Sequence, residues 1–348
     1  MSLPDYNFLS APLWLITILH ITTLTLHLAA MNFVFGGLIV LVFGRMNDKW
    51  RDPTVKTFVK LLPTAMAVTV TLGVAPLLFL QLVYSQQAYA AAIVSAWPWL
   101  MIFVAVIVAY YCLYAASFAA GGETGRLPLY LGLVLVLLTY VSLVYSTVFS
   151  MAERPDVYRM LYAADQSGLV VNNDVGSWLL RWLHAISGAV AVGGFFVALI
   201  GRNNEPAFRL GRSFFVGGVI AASLGGMGYL LSLGSHTAPF MRSAGIWMLT
   251  VSFVLTLGSV YFFFKKKFLA AGALLFLSLL AMVSTRHLLR LIVLEGEFDP
   301  SSIPVVPQWT VFALFLVCFA AAIGAVAYML KLYFDGRGHS ASADPGGD

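Results

Sequence analysis

Long apolar runs dominate the chain and alternate with short polar segments. A helix needs about 20 apolar residues to cross a bilayer. Nine runs reach that length, at roughly 12–44, 57–84, 96–120, 128–151, 177–201, 208–233, 243–264, 267–294 and 308–334. The pattern predicts an all-α polytopic membrane protein with nine transmembrane helices.

One of these apolar helices occurs twice. His27 to Arg45 reads HLAAMNFVFGGLIVLVFGR, and His184 to Arg202 reads HAISGAVAVGGFFVALIGR. Both copies have a histidine, eight residues, Gly-Gly, six residues and Gly-Arg. The similarity extends to the next span, where Thr71-Leu72-Gly73 resembles Ser223-Leu224-Gly225. We therefore expect spans 1–4 and 5–8 to form two repeated four-helix bundles in the same orientation, plus one extra helix.

This organisation divides the chain into five segments. They are a first bundle (1–151), an outer loop (152–176), a second bundle (177–294), a further outer loop with the ninth helix (295–334), and a disordered cytoplasmic tail (335–348). Within the first outer loop, residues 155–164 are predicted to form a surface helix.

Composition and charge support a membrane protein and predict its orientation. Hydrophobic residues make up 60% of the chain and charged residues 10%. Of the 20 basic residues, fourteen fall on one side of the predicted spans and six on the other. The excess of basic residues marks the cytoplasmic side, so we expect the N-terminus outside, the C-terminus in the cytoplasm, and a location in a bacterial inner membrane. The sequence has no basic stripe with interleaved aromatic residues, so a nucleic-acid partner is not expected. The expected partner is membrane lipid.

Several histidines are predicted to lie within the spans, where a polar side chain is costly and suggests function. His27 and His184 each lie 18 residues before their arginine, or about 27 Å from the inner boundary. His287 and Met248 are expected at a similar depth, and His20 about 10 Å further out. Imidazoles at one depth on separate helices are a common way to hold haem b without covalent attachment. The candidate iron ligands are His27, His184, His287, Met248 and His20.

Arginines accompany these candidate ligands on the predicted outer side. Haem propionates are anionic and favour guanidinium partners. Four outer arginines lie within a few residues of a histidine or of Met248 and are the expected propionate partners: Arg181, Arg242, Arg286 and Arg290. The sequence thus predicts one to three haem b groups, whereas its two cysteines lack the spacing for a c-type haem.

The order of these features resembles the larger, haem-bearing subunit I of cytochrome bd-type quinol oxidases. That family has nine spans, two four-helix bundles and haem ligands from a span-1 histidine, a span-5 histidine and a span-7 methionine. The resemblance implies His20 or His27, His184, and Met248 or Met241 for these roles. LGVAPLLFLQL, from Leu72 to Leu82, also resembles the family's second span. The glutamates of the family's third span are absent here, and the loop after span 6 is short.

These features predict a haem b-containing subunit of a respiratory electron-transfer complex. It would oxidise quinol near the periplasmic face and pass electrons to a cytochrome c or another redox subunit on that side. Asp and Glu are expected only in loops and tails, which disfavours an internal proton relay. One alternative is an oxygen-reducing bd-like quinol oxidase. The other is a cofactor-free transporter or assembly scaffold in which the histidines only pack.

Overall fold

The structure is a computed structural model that describes residues 8–122 and 124–341. The described residues form twelve α-helices, which are α1 Leu13–Phe43, α2 Pro53–Val83, α3 Ser85–Val94, α4 Ala96–Gly121, α5 Leu127–Ala152, α6 Pro155–Ala164, α7 Val175–Ile200, α8 Glu205–Ser232, α9 Thr237–Arg242, α10 Ala244–Phe264, α11 Phe268–Val293 and α12 Trp309–Ala341. Nine helices of this described part are long and apolar enough to cross a membrane. The nine predicted spans are thereby confirmed as elements.

Capping residues explain where the predicted and observed helix ends differ. α2 begins at Pro53, earlier than the predicted 57, because Asp52 accepts a hydrogen bond from the amide of Thr54 at 2.8 Å. Asn204 caps α8 in the same way through the amide of Ala207. A side-chain acceptor at this position satisfies one of the amides left open at a helix start. The first polar residues of both helices are therefore helical.

The short helix expected in the first outer loop is present, whereas the predicted tail needs a correction. α6 covers Pro155–Ala164, which are the predicted bounds. α12 continues to Ala341, so residues 335–341 extend the helix instead of beginning a disordered tail. Residues 342–348 of that predicted tail lie outside the described residues.

Residues 16–302 form one compact unit. Within it α4 packs against α2 and α5, α7 packs along α8, and α10 packs along α11. Residues 8–15 and 303–341 belong to a second unit. In that unit the amide of Leu9 donates to the carbonyl of Pro304 at 2.7 Å, and the amide of Val306 donates to the carbonyl of Leu9 at 2.9 Å.

The two copies of the repeated helix, α1 and α7, cross at their glycines. A Cβ added to Gly36 would lie 1.7 Å from the carbonyl oxygen of Ala189, and one added to Gly193 would lie 2.2 Å from the carbonyl carbon of Gly36. Such close backbone contact is open only to glycine. The helix caps also meet, because the side-chain amide of Asn204 donates to the carboxylate of Asp52 at 2.8 Å. Equivalent positions of the repeat therefore contact each other.

Candidate functional site

His27 and His184, the repeated histidines, are held in the same way. Nδ1 of His27 lies 2.9 Å from the carbonyl oxygen of Thr69 on α2, and Nδ1 of His184 lies 2.7 Å from that of Ala222 on α8. A carbonyl only accepts hydrogen bonds, so Nδ1 carries the proton in both rings. Nε2 of the neutral ring is then left with a free lone pair.

A glycine makes room for each of these rings. A Cβ added to Gly73 would lie 2.8 Å from Cε1 of His27, and one added to Gly226 would lie 2.9 Å from Nδ1 of His184. Each glycine follows the carbonyl-bearing residue by four positions, one turn further along the same helix. The arrangement of histidine, carbonyl and glycine therefore occurs twice, although the glycine beside the His184 ring is Gly226 and not Gly225, which the sequence aligned with Gly73.

His20 makes a third contact of this kind nearer the start of α1. It is buried, and its Nδ1 lies 3.1 Å from the carbonyl oxygen of Pro76 on α2. His20 precedes His27 by seven residues and Pro76 follows Thr69 by seven, so both rings lie along one seam between antiparallel helices. His287 on α11 differs, because its buried Nδ1 has no hydrogen-bond partner.

Three of the four predicted arginines converge on one carboxylate, that of Glu153. Arg181 on α7 lies 3.4 Å from Glu153 and Arg290 on α11 lies 3.2 Å from it. Arg286 contacts both carboxylate oxygens of Glu153 through Nη2. Glu153 directly follows α5 and is 7% exposed. The ends of α5, α7 and α11 thus meet in what we call the Glu153 cluster, which comprises Glu153, Arg181, Arg286 and Arg290.

The charges of the Glu153 cluster do not balance. Burial by itself raises the pKa of Glu153, but Arg286, Arg181 and Arg290 outweigh burial and lower the pKa from 4.5 to about 2. Glu153 is therefore ionised at neutral pH and offsets one of three guanidinium charges, leaving two positive charges. Nη1 of Arg286 and Nη1 of Arg290 are buried without a hydrogen-bond partner. Two open cationic donors next to an excess positive charge suit an anionic ligand.

The remaining predicted site residues lie elsewhere. Met248 on α10 is 41% exposed and Met241 is 47% exposed. Arg242 ends α9 and is exposed. Of the four arginines predicted to bind propionates, the structure therefore brings together Arg181, Arg286 and Arg290 at Glu153, and Arg242 makes no ion pair with that carboxylate.

The donor set fits a haem better than a bare metal ion. No group of three His, Cys, Asp or Glu side chains in the described part of the chain could hold a metal ion. A haem supplies its own in-plane ligands and needs only axial imidazoles from the protein. Iron-ligating histidines usually donate their second ring nitrogen to a carbonyl or carboxylate, as His20, His27 and His184 do. The residues present therefore fit haem b.

Sequence reasoning missed two features of this site. Glu153 was assigned only to the outer loop, although it directly follows the apolar run that ends in Met151-Ala152, and this adjacency was the available signal for burial. The carbonyls of Thr69, Ala222 and Pro76 carry no signal at all, because every residue has a carbonyl.

Comparison with known proteins adds no relative to this picture. No family model, no curated protein and no solved structure matches the chain.

Proposed function

We propose that the protein is a haem b-containing membrane subunit of a respiratory electron-transfer complex. It oxidises quinol near the periplasmic face and passes electrons to a periplasmic or partner cytochrome. The observation that carries the proposal is the repeated arrangement of His27 and His184, each with Nδ1 on a helix carbonyl and Nε2 available. A histidine kept only for packing would not need Nε2 to stay open in both copies.

The chain's residues take distinct roles in this proposal. Nε2 of His27 and Nε2 of His184 would hold haem iron, and the carbonyls of Thr69 and Ala222 fix the ring orientations. Guanidinium groups of the Glu153 cluster would hold propionates, and the two uncompensated positive charges equal the charge of one haem's two propionates. Haem b supplies one-electron chemistry to a quinol that gives up two electrons and two protons.

The proposal includes the predicted orientation, the two-bundle organisation and the bacterial inner membrane. On that orientation the Glu153 cluster lies at the periplasmic ends of α5, α7 and α11. Glu153, with a pKa of about 2, stays ionised and acts as a fixed charge, not as a proton acceptor. Quinol protons then leave directly to the periplasm.

Visible spectroscopy of the purified protein tests the proposal. We would record reduced-minus-oxidised spectra of the wild type, His27→Ala and His184→Ala, and then add a quinol without oxygen. His236→Ala is the matched control, because His236 lies between α8 and α9 and its Nδ1 contacts a carbonyl of its own turn, that of Leu233.

We expect a b-type spectrum in the wild type and in His236→Ala, reduction of that signal by quinol, and a smaller signal in His27→Ala and His184→Ala. A colourless, folded wild type would overturn the proposal and favour a scaffold or transporter. Oxygen consumption driven by quinol would instead favour an oxygen-reducing oxidase.

A further inference from the structure

Counted from the outer ends of their helices, His20 and His287 lie at one level, whereas the sequence predicted His20 about 10 Å further out than His287. His20 is seven residues from the start of α1, and His287 is six residues from the end of α11. At 1.5 Å per residue, both lie about 10 Å from those ends. Pro76, whose carbonyl contacts His20, lies seven residues from the end of α2. These three positions therefore share one level of the fold.

Contacts across α2 bring α1 and α11 into one neighbourhood at that level. His20 contacts α2 at Pro76, and the guanidinium of Arg290 lies 5.3 Å from the ring centroid of Tyr84, directly after α2. His20 also interacts electrostatically with both Arg290 and His287. The two imidazoles and Arg290 therefore form one group, which lies about 10 Å from His27 along the seam between α1 and α2.

His20, His287 and Arg290 each have a nitrogen atom that makes no hydrogen bond within the described residues. His287 makes no hydrogen bond within the described residues, and its Nδ1 is buried. A buried polar atom left without a partner costs about 1–3 kcal/mol. His20 uses Nδ1 for the carbonyl of Pro76 and keeps Nε2 available. Nη1 of Arg290 is buried and open as well. These atoms suit a ligand that has both a metal centre and an anionic group.

We propose that His20 and His287 are the axial ligand pair of one haem b, whose propionates bind Arg286 and Arg290 of the Glu153 cluster. The inference rests on the proposed function and assigns which residues act together in one cofactor site. His27 and His184 then ligate iron at other positions. The pair joins α1 of the first repeat to α11 of the second.

Haem counts of single variants test the pairing. We would measure haem per chain by pyridine haemochrome, and low-spin ferric signals by electron paramagnetic resonance, in His20→Asn and His287→Leu. Asparagine keeps a donor for the carbonyl of Pro76, and leucine fills an apolar helix position, so both changes favour folding. His236→Ala is the control, and size-exclusion chromatography with circular dichroism reports folding.

We expect His20→Asn and His287→Leu each to lose one haem and the same low-spin signal, and the double variant to lose no more than either single variant. His27→Ala and His184→Ala should leave that particular signal in place. Free imidazole added to His287→Gly should restore the signal, which a purely structural role would not allow.

The outcomes separate the pairing from the proposed function. If the wild type binds haem and both variants keep its full count and spectrum, the pairing is wrong while the proposed function stands. If the two variants lose different signals, they ligate different haems and the pairing is again wrong. A wild type without haem overturns both. A misfolded variant is replaced by His20→Gln or His287→Phe, to which the same criteria apply.

Discussion

At the residue scale, the carboxylate of Glu153 joins three helices at one end of the compact unit. It follows α5 and contacts Arg181 on α7 and both Arg286 and Arg290 on α11. A buried charge without partners is strongly destabilising, so each of these groups depends on the others. Glu153 therefore serves both the stability of the fold and the placement of the open guanidinium groups.

Replacing Glu153 with glutamine should destabilise the protein. The change removes the buried carboxylate that pairs with three partly buried guanidinium groups, and breaking a fully buried ion pair costs about 3–5 kcal/mol, which is the upper limit here. The measurement is thermal unfolding of the detergent-solubilised protein. Asp165→Asn, at an exposed position between α6 and α7, is the control and should unfold as the wild type does.

The same carboxylate predicts a dependence of stability on acid. Folding lowers the pKa of Glu153 from 4.5 to about 2, so its contribution to stability is complete above about pH 4.5 and is lost as the pH falls toward 2. The difference in unfolding temperature between wild type and Glu153→Gln should therefore shrink as the pH falls from about 5 to about 2. An unchanged difference across this range would contradict the role assigned to Glu153.

Candidate site residues could be predicted from the sequence where the type of side chain is informative by itself. Histidines in apolar runs and arginines beside them stand out in the sequence, and Arg181, Arg286 and Arg290 do meet. Their shared partner was not predicted, because a lone glutamate at the start of a polar loop has the pattern of a solvated residue. Only packing buries it.

At the element scale, α7 and α8 form a pair whose glycines position His184. Gly194 on α7 would place a Cβ 2.3 Å from the amide nitrogen of Phe215, and Gly211 on α8 would place one 2.2 Å from that of Ala198. This close approach brings the carbonyl of Ala222 within reach of the His184 ring. Gly226, one turn later, leaves space for the ring itself.

Gly226→Ala should disturb the haem signal assigned to His184 while α8 stays folded. The added Cβ would lie 2.9 Å from Nδ1, so the ring must move away from the carbonyl of Ala222. Alanine favours a helix over glycine by up to about 1 kcal/mol, so a general loss of helix is not expected. The measurement is the visible spectrum together with far-ultraviolet circular dichroism.

Gly217→Ala is the matched control on the same helix, because a Cβ at Gly217 meets no atom within 4 Å. It should leave the spectrum unchanged. Equal spectral changes in Gly217→Ala and Gly226→Ala would show that the space beside His184 is not what matters.

The helices themselves were predictable because membrane spans are long and apolar. The predicted ends lie within a few residues of the observed ones, apart from α12, which continues to Ala341. Polar residues beyond an apolar run carry no hydropathy signal for helix, so the last two turns of α12 were not predicted. The cap at Asp52, which starts α2 early, was missed for a similar reason.

At the scale of the whole molecule, the repeated helices α1 and α7 meet through Gly36 and Gly193. The glycines are equivalent in the repeat, and each lies against the backbone of the other helix. The sequence identified them as a repeated Gly-Gly, but it did not indicate that the two copies pack on each other. Contacts between repeats depend on the tertiary arrangement, which a periodic pattern within each helix does not encode.

Gly36→Ala should destabilise the protein by about 1–3 kcal/mol, the usual cost of overpacking. The new Cβ would lie 1.7 Å from a backbone carbonyl oxygen, so a helix must move. Thermal unfolding measures the effect, and Gly132→Ala on α5, which meets open space, is the control. A Gly36→Ala protein as stable as Gly132→Ala would contradict the crossing.

The predicted orientation is tested by labelling single cysteines in intact cells with a membrane-impermeant maleimide. In a background with Cys112→Ala and Cys318→Ala, Asp165→Cys should react and Lys266→Cys should not. The reason is that the basic loops mark the cytoplasmic side. Labelling of Lys266→Cys but not of Asp165→Cys would indicate the opposite orientation, in which the Glu153 cluster lies at the cytoplasmic face.

The histidines of this helical protein that keep a free Nε2 are proposed to bind haem b, and a pyridine haemochrome count per chain on the purified wild type tests this binding. We expect one to three b-type haems per chain. A folded, homogeneous preparation without haem would contradict it, and the repeated His27 and His184 contacts would then be helix packing alone.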